Sequence, residues 1–421
     1  MGAHMKKAFL FVLSICLCAA LLIFSGSSNR GLTATDIKET QSAKTAEAAS
    51  PSPEENTIRI GVPSSKTGLG STDDARILLG LQYAHSVSPT VDVGSTTYKI
   101  ELVEADDGGT AAGAKSAAEQ VQKQKPAAVI GSFANKMTQT ALQSYFSAEL
   151  PVLSLRCADA VAEKGKTPFF RLGTSDELSG GAAASLAQSL GKTHAAVITD
   201  PADAASQALG KAFEDAFSKL GGTSTAFSFS AGKKSDRALA ESVQSSGADV
   251  VFMVSSAEDG QAFLRQARKE GVLCPVIGPS SWDAGLLLAD VDYCSDDVYA
   301  VAAYDGCGPD EVASAFAARF SAWAGDGKET MLKNGGSNYA SSYSALGYDA
   351  YMLLVKAIKT AGSTEPEALA EALRNMDYTG VTGEITFDKA RAASRSVAYI
   401  KKLNRDRKCF ELLRSVEIGG K

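Results

Sequence analysis

The chain is expected to fold as an α/β protein with two lobes, each built on a largely parallel sheet. Three observations carry this expectation. From residue 57 onward, short runs rich in β-formers alternate with helical stretches of ten or more residues, the pattern of βαβ units. Several of the short runs are continuously apolar, such as Ala127-Ala128-Val129-Ile130 and Val250-Val251-Phe252-Met253, as strands covered on both faces require. There are too many of them for one small sheet, and a body of this length suits two domains of ~100–200 residues each.

In order, the first series places strands at 57–62, 99–104, 127–131 and 151–155. Helices are expected at 73–86, where Ile77, Leu81 and Ala84 fall at helical spacing, and at 110–124 and 136–148. The second series has strands at 194–199, 225–229, 249–254, 274–277 and 298–303. Its helices are at 179–190, 206–220, 234–245 and 258–270, the second of these four closed by a Gly221-Gly222 stop signal. Helices at 309–324, 339–361 and 366–376 follow, and 397–403 with 409–414 read as a closing hairpin.

The N-terminus is of different material. Residues 1–4 have the character of an expression scar. Lys6 and Lys7 then lead into an apolar run through Phe24, with small residues after it. Basic start, apolar stretch and small-residue exit make a secretory signal, so residues 1–27 are assigned to scar plus signal and the protein to the outside of the cytoplasm. Ile23-Phe24-Ser25-Gly26 resembles the lead-in of a bacterial lipoprotein box, but Ser27 stands where the acylated Cys would be. Either substitution removed the lipid site or signal peptidase cuts after Ser27. Residues 28–55, rich in Ala, Thr, Ser, Glu and Lys, lack the apolar residues to offset ordering entropy and form a spacer, a possible tether to a membrane surface.

Composition narrows function. The net charge is −6 with mixed signs, and no Lys/Arg stripe points to nucleic acid. Beyond the signal lie Cys157, Cys274, Cys294, Cys307 and Cys409, with no C-x-x-C or Cys/His cluster for zinc. Cys294 and Cys307 flank a predicted strand, and their pairing stays open. Catalytic motifs are weak. The loop Ser65-Lys66-Thr67-Gly68-Leu69-Gly70 offers fragments of dinucleotide, Walker and β-lactamase motifs, each broken at a required position. His194 reads as structural, and His85 as solvated at a helix end. Asp106-Asp107 reads as capping, shared with Thr110. No enzyme and no cofactor are expected.

Ligands of open α/β sheets sit beyond the carboxyl ends of the strands, so the loops there are the candidate surface. In Gly131-Ser132-Phe133-Ala134-Asn135, backbone N–H groups and the Ser132 hydroxyl suit a carboxylate at a helix N-terminus; the alternative is capping by Ser132 or Asn135. In Ser154-Leu155-Arg156-Cys157-Ala158-Asp159, Arg156 suits an anion clamp, or else it pairs with Asp159 at the surface. In Ser280-Ser281-Trp282-Asp283, Trp282 suits covering a ligand and Asp283 an ammonium; the alternative is a core Trp and an Asp capping the next helix.

These loops, with Ile58-Arg59-Ile60-Gly61-Val62, Val129-Ile130-Gly131-Ser132, Pro151-Val152-Leu153-Ser154, Ala345-Leu346-Gly347-Tyr348-Asp349-Ala350 and Val381-Thr382-Gly383-Glu384-Ile385-Thr386-Phe387-Asp388, resemble the type I periplasmic-binding-protein family, in the branch of the leucine/isoleucine/valine-binding proteins of ABC importers. The resemblance implies two Rossmann-like lobes joined by a three-strand hinge: residues 56–175 and 304–388 in the first, 176–303 and 389–421 in the second. It implies a small-molecule ligand between them, an ABC permease as partner, and a monomer. It puts the α-carboxylate on the loop of Ser132 and Phe133, with Ser154 on the neighbouring strand. Several family positions are replaced. Ala158 stands for a Thr, beside an intruding Arg156. Asp73 and Ala205 stand for Tyr residues, and Ser280 for the acid that meets the ammonium, a role open to Asp283 or Asp73. Tyr343 keeps an aromatic contact. These replacements point away from branched-chain amino acids to a smaller or more polar ligand with a carboxylate.

Overall fold

The computed structural model describes residues 56–157, 168–233, 237–288, 297–389, 391–407 and 409–417. The signal, the spacer, Ala158, Asp159 and Cys294 lie outside them. The first series runs β1 (Thr57–Ser64), α1 (Ser71–Val87), β2 (Thr90–Val93), β3 (Thr96–Asp106), α2 (Ala111–Lys123), β4 (Ala128–Ile130), α3 (Asn135–Ser147), β5 (Val152–Ser154) and β6 (Phe169–Arg171). The second runs α4 (Asp176–Ser189), β7 (His194–Thr199), α5 (Ala204–Lys219), β8 (Thr223–Ser228), α6 (Arg237–Ser245), β9 (Val250–Met253), α7 (Ala257–Lys269), β10 (Val276–Gly278), α8 (Gly285–Leu288) and β11 (Val298–Ala302). Then come α9 (Glu311–Gly325), α10 (Lys328–Lys333), α11 (Ser342–Ala361), α12 (Pro366–Arg374), the hairpin β12 (Asp377–Gly380) with β13 (Gly383–Thr386), and β14 (Val397–Asn404) with β15 (Cys409–Glu417).

One sheet has the order β2-β3-β1-β4-β5-β6 and the other β15-β14-β11-β10-β9-β7-β8. β2 is antiparallel to β3, and β14 and β15 close the second sheet antiparallel; the other pairings are parallel. In each sheet the chain starts in an inner strand (β1 or β7), steps one way, then returns to build the other way. The reversal leaves a crevice beyond the carboxyl ends of β1 and β4, and of β7 and β9, the switch points where such folds bind ligands.

The alternation of β1 explains its burial. Ile58, Ile60 and Val62 face a core shared with Ile77 and Leu81 of α1 and with Leu346, Leu353 and Leu354 of α11. Thus α11 returns to the first sheet after the chain has built the second. The two helices touch through their backbones: a Cβ on Gly80 would overlap the Ser344 carbonyl, and one on Gly347 the Ile77 carbonyl.

The two late sequence segments singled out above meet in space. Asp349 of α11, fully buried, accepts from Val381 N (2.9 Å) and Thr382 N (2.8 Å). Arg395 donates to the Thr382 carbonyl (2.8 Å) and, from Nε, to the Leu172 carbonyl (2.7 Å). Two chain segments that leave the first lobe also pair directly, with Arg171 N on Arg391 O (3.0 Å) and Ala393 N on Arg171 O (2.7 Å). The segments that carry the family resemblance therefore brace the crossings between lobes.

Both histidines of the body have structural partners. His85 lies 3.1 Å from the Ile100 carbonyl and edge-on to Tyr351, so it is half-buried rather than solvated. His194 contacts the Thr223 and Thr225 hydroxyls.

Candidate functional site

The loop after β1 turns through Gly68 (φ 79°) and Gly70 (φ 82°), left-handed conformations that favour glycine. Its amides are already committed. Asp106 accepts from Lys66 N (2.9 Å) and from the Thr67 hydroxyl (2.9 Å). Burial pushes the Asp106 pKa up, but these donors and Gly108 N outweigh it and hold the pKa below the usual value. The glycines therefore serve the turn, and the Lys66 and Thr67 amides are not free to cradle a phosphate. Thr110 alone caps α2 through its side chain (3.1 Å to Gly113 N), while Asp107 accepts from the Ser65 hydroxyl (2.7 Å).

Across the switch point, β4 ends in Gly131-Ser132. Neither Ser132 nor Asn135 caps α3: its N-cap position is Ala134, with no side-chain cap. Ser132 and Ser154 are both fully buried, and neither hydroxyl has a hydrogen-bond partner. Two orphaned buried hydroxyls on adjacent strand ends are costly, ~1–3 kcal/mol each, and such groups call for an explanation. Phe133 turns the other way, into the core with Leu155 and Tyr343.

Arg156 is no surface residue. It lies 3.1 Å from Asp73 and 3.3 Å from Asp74, both on the first turn of α1 and 1 % exposed. Its guanidinium sits 5.0 Å from the centre of the Tyr343 ring. Arg76, one turn into α1, pairs with Asp73 and approaches the same ring at 5.6 Å. Burial raises the Asp74 carboxyl to about 7, against the attraction of Arg156 and the hydrogen bond from Ser65 N. Asp74 and Arg76 were missed by the loop-by-loop reading; their signal was the acidic pair three and two residues before an Arg at a helix start, which puts Asp73 and Arg76 on one face.

The second lobe meets this cluster. Tyr343 hydrogen-bonds Ser281, Asp203 acts on Arg156, and Asp73 and Asp200 act on Asp259. Leu69 reaches Gly232, where a Cβ would come within 2.9 Å of its methyl group. The second lobe thus comes against the first beside this cluster.

The loop after β10 departs from expectation as a ligand surface. Trp282 is fully buried in the second lobe, its indole occupying a slot left by Gly260 and Gly278 and its Nε1 donating to the Ser255 hydroxyl (3.2 Å). Asp283 does not await an ammonium. It already accepts from Tyr339 OH (2.6 Å), Ser342 N (2.9 Å), Ser342 Oγ (2.7 Å) and Lys401 Nζ (3.1 Å). Nor does it cap the short helix that follows; it joins β14 to the start of α11. Ser280 spends its hydroxyl on the Val301 carbonyl (2.8 Å). The structure thus brings together Asp73, Arg156 and Tyr343, leaves Ser132 and Ser154 buried at the ends of neighbouring strands, and sets Trp282, Asp283 and Ser280 in the frame. Among the described residues no group of three or more His, Cys, Asp or Glu is placed to hold a metal, and no helix is long and apolar enough to cross a membrane.

Comparison with known proteins agrees with this fold. The sequence pattern of a family described as periplasmic binding protein matches residues 57–408. An amino acid binding protein of Pseudomonas aeruginosa is 25 % identical over 344 residues, covering 79 % of this chain and 86 % of that protein. A leucine binding protein from Thermotoga maritima superposes with a TM-score of 0.75 at 24 % identity, covering 86 % of this chain and 99 % of its own. A branched-chain amino acid transporter substrate binding protein from Streptococcus pneumoniae, in complex with isoleucine, superposes at 0.72 with 20 % identity, covering 86 % and 99 %. At these identities the two superpositions speak for the fold.

Proposed function

The chain belongs to the periplasmic binding protein family, and we propose that it is an extracytoplasmic solute-binding protein capturing a small amino acid or related carboxylate between its lobes for ABC import. One observation carries the ligand class: the Ser132 and Ser154 hydroxyls are buried and unpartnered at the carboxyl ends of the neighbouring strands β4 and β5, beside the point where the first sheet reverses its winding. In this reading they donate to the α-carboxylate, and the acids ringing the cluster, Asp73 and Asp203 among them, meet the ammonium. Tyr343 supplies the apolar wall. The named ligands of the Thermotoga, Streptococcus and Pseudomonas relatives support an amino acid. Closure of the lobes is the signal a permease reads, the ligand shifting the population toward the closed form. Residues 1–27 direct export and residues 28–55 hold the body off the membrane. A sensor that passes the same closure to a receptor is the other use of such a fold; permease and ATPase genes beside this one favour import.

The test is a thermal-shift screen over amino acids and small carboxylates, followed by calorimetry on the hits. A shift with at least one amino acid, lost in Ser132→Ala, is the expected result. No response to any amino acid or carboxylate rejects the reading.

A further inference from the structure

The cluster at the cleft holds more donors than the chain satisfies. A guanidinium carries five N–H donors. Arg76, 1 % exposed, gives Nη2 to Asp73, while its Nε and Nη1 have no hydrogen-bond partner. Arg156 differs, with one nitrogen on Asp73 and another on Asp74. Both guanidinium groups approach the Tyr343 ring, so the unspent donors of Arg76 belong to the cleft and not to the helix surface. A buried charged group with unmade hydrogen bonds is expensive unless something else supplies acceptors.

We infer that Arg76 is a specificity-determining residue: its Nε and Nη1 receive a second anionic group of the ligand, so that the captured amino acid is an acidic one. This rests on the ligand reading above. The α-carboxylate lies on Ser132 and Ser154, the ammonium among the acids, and the side-chain carboxylate on Arg76. A branched aliphatic side chain in the same place would leave the Arg76 donors buried and unmet.

The experiment compares isosteres that differ in charge: glutamate against glutamine and aspartate against asparagine, by calorimetry on the full chain. Hydrogen bonds to charged groups are worth ~1.5–3 kcal/mol, so one acid is expected to bind about 10–150-fold tighter than its amide. Arg76→Gln is expected to erase that preference, bringing acid and amide affinities to within about threefold of each other. Equal or tighter binding of the amides, or of neutral amino acids alone, overturns the inference and leaves the amino-acid reading standing. Binding of no amino acid sinks that reading and the role of Arg76 with it. If Arg76→Gln does not fold by circular dichroism, the acid–amide comparison on the unsubstituted protein decides.

Discussion

Replacing Lys401 with Met tests the buried charge cluster of the second lobe that holds the start of α11. Lys401 on β14 and Asp283 are 1 % and 0 % exposed in their side chains and lie 3.1 Å apart. Lys401→Met keeps an unbranched stem of similar bulk and removes the charge. Asp283 would keep three donors, Tyr339 OH, Ser342 N and Ser342 Oγ, but no cation. Breaking a buried pair from one side costs ~3–5 kcal/mol, and the surviving donors put the expectation near the lower end, about 3 kcal/mol. That is a large part of the ~5–15 kcal/mol by which a domain is stable. Asp283→Asn alone strands the Lys401 ammonium and weakens three charge-assisted hydrogen bonds, for a similar loss. The double variant removes both charges, so its loss should fall below the sum of the single losses by about 2–3 kcal/mol. Urea unfolding followed by tryptophan fluorescence reports it, since Trp282 directly precedes Asp283 and is fully buried. Because Asp283 holds the backbone of Ser342, next to Tyr343, ligand affinity should fall along with stability. A Lys401→Met protein within about 1 kcal/mol of the parent, or singles that simply add, would refute the coupling.

Other outcomes follow from the same structure. Ser132→Ala removes a buried hydroxyl without a partner, so ligand-free stability should hold or rise while affinity falls by about 1–2 kcal/mol; urea melts and calorimetry on one preparation separate the two. Asp74 has a folded pKa of about 7 against an ordinary value of 3.8, so the folded form binds the extra proton. Its contribution is fully present below pH about 4 and lost as pH rises through about 7, and Asp74→Asn should flatten that part of the pH–stability profile. Trp282→Ala empties the slot between Gly260 and Gly278 and should cost ~3–5 kcal/mol, read as a lower urea midpoint. Gly80→Val forces a side chain into the Ser344 carbonyl and should separate α1 from α11, seen as loss of soluble folded protein.

The elements were largely legible because their signals are local. The helical spacing of Ile77, Leu81 and Ala84 and the apolar run at 250–253 carry their own structure. β6 and β2 were not read: three residues, Phe169–Arg171, show no period, and β2 is a short edge strand with alternate exposure. Ser132 and Ser154 lie where the sequence put them, at the ends of buried strands. Trp282 took its core alternative, while the role of Asp283 was not read, since its partners Tyr339, Ser342 and Lys401 lie far along the chain.

By itself the sequence determined the alternation of strand and helix, the glycine turns and the family, all set by residues within a few positions of one another or by motifs kept in order. Tertiary structure alone decided which charges meet. Arg156 finds Asp74 across 82 positions, Asp283 finds Lys401 across 118, and Arg395 reaches Leu172 across 223. A carboxylate's partner is chosen by whichever donor the folded chain brings within about 3 Å in a place water does not reach, and no local pattern encodes that distance.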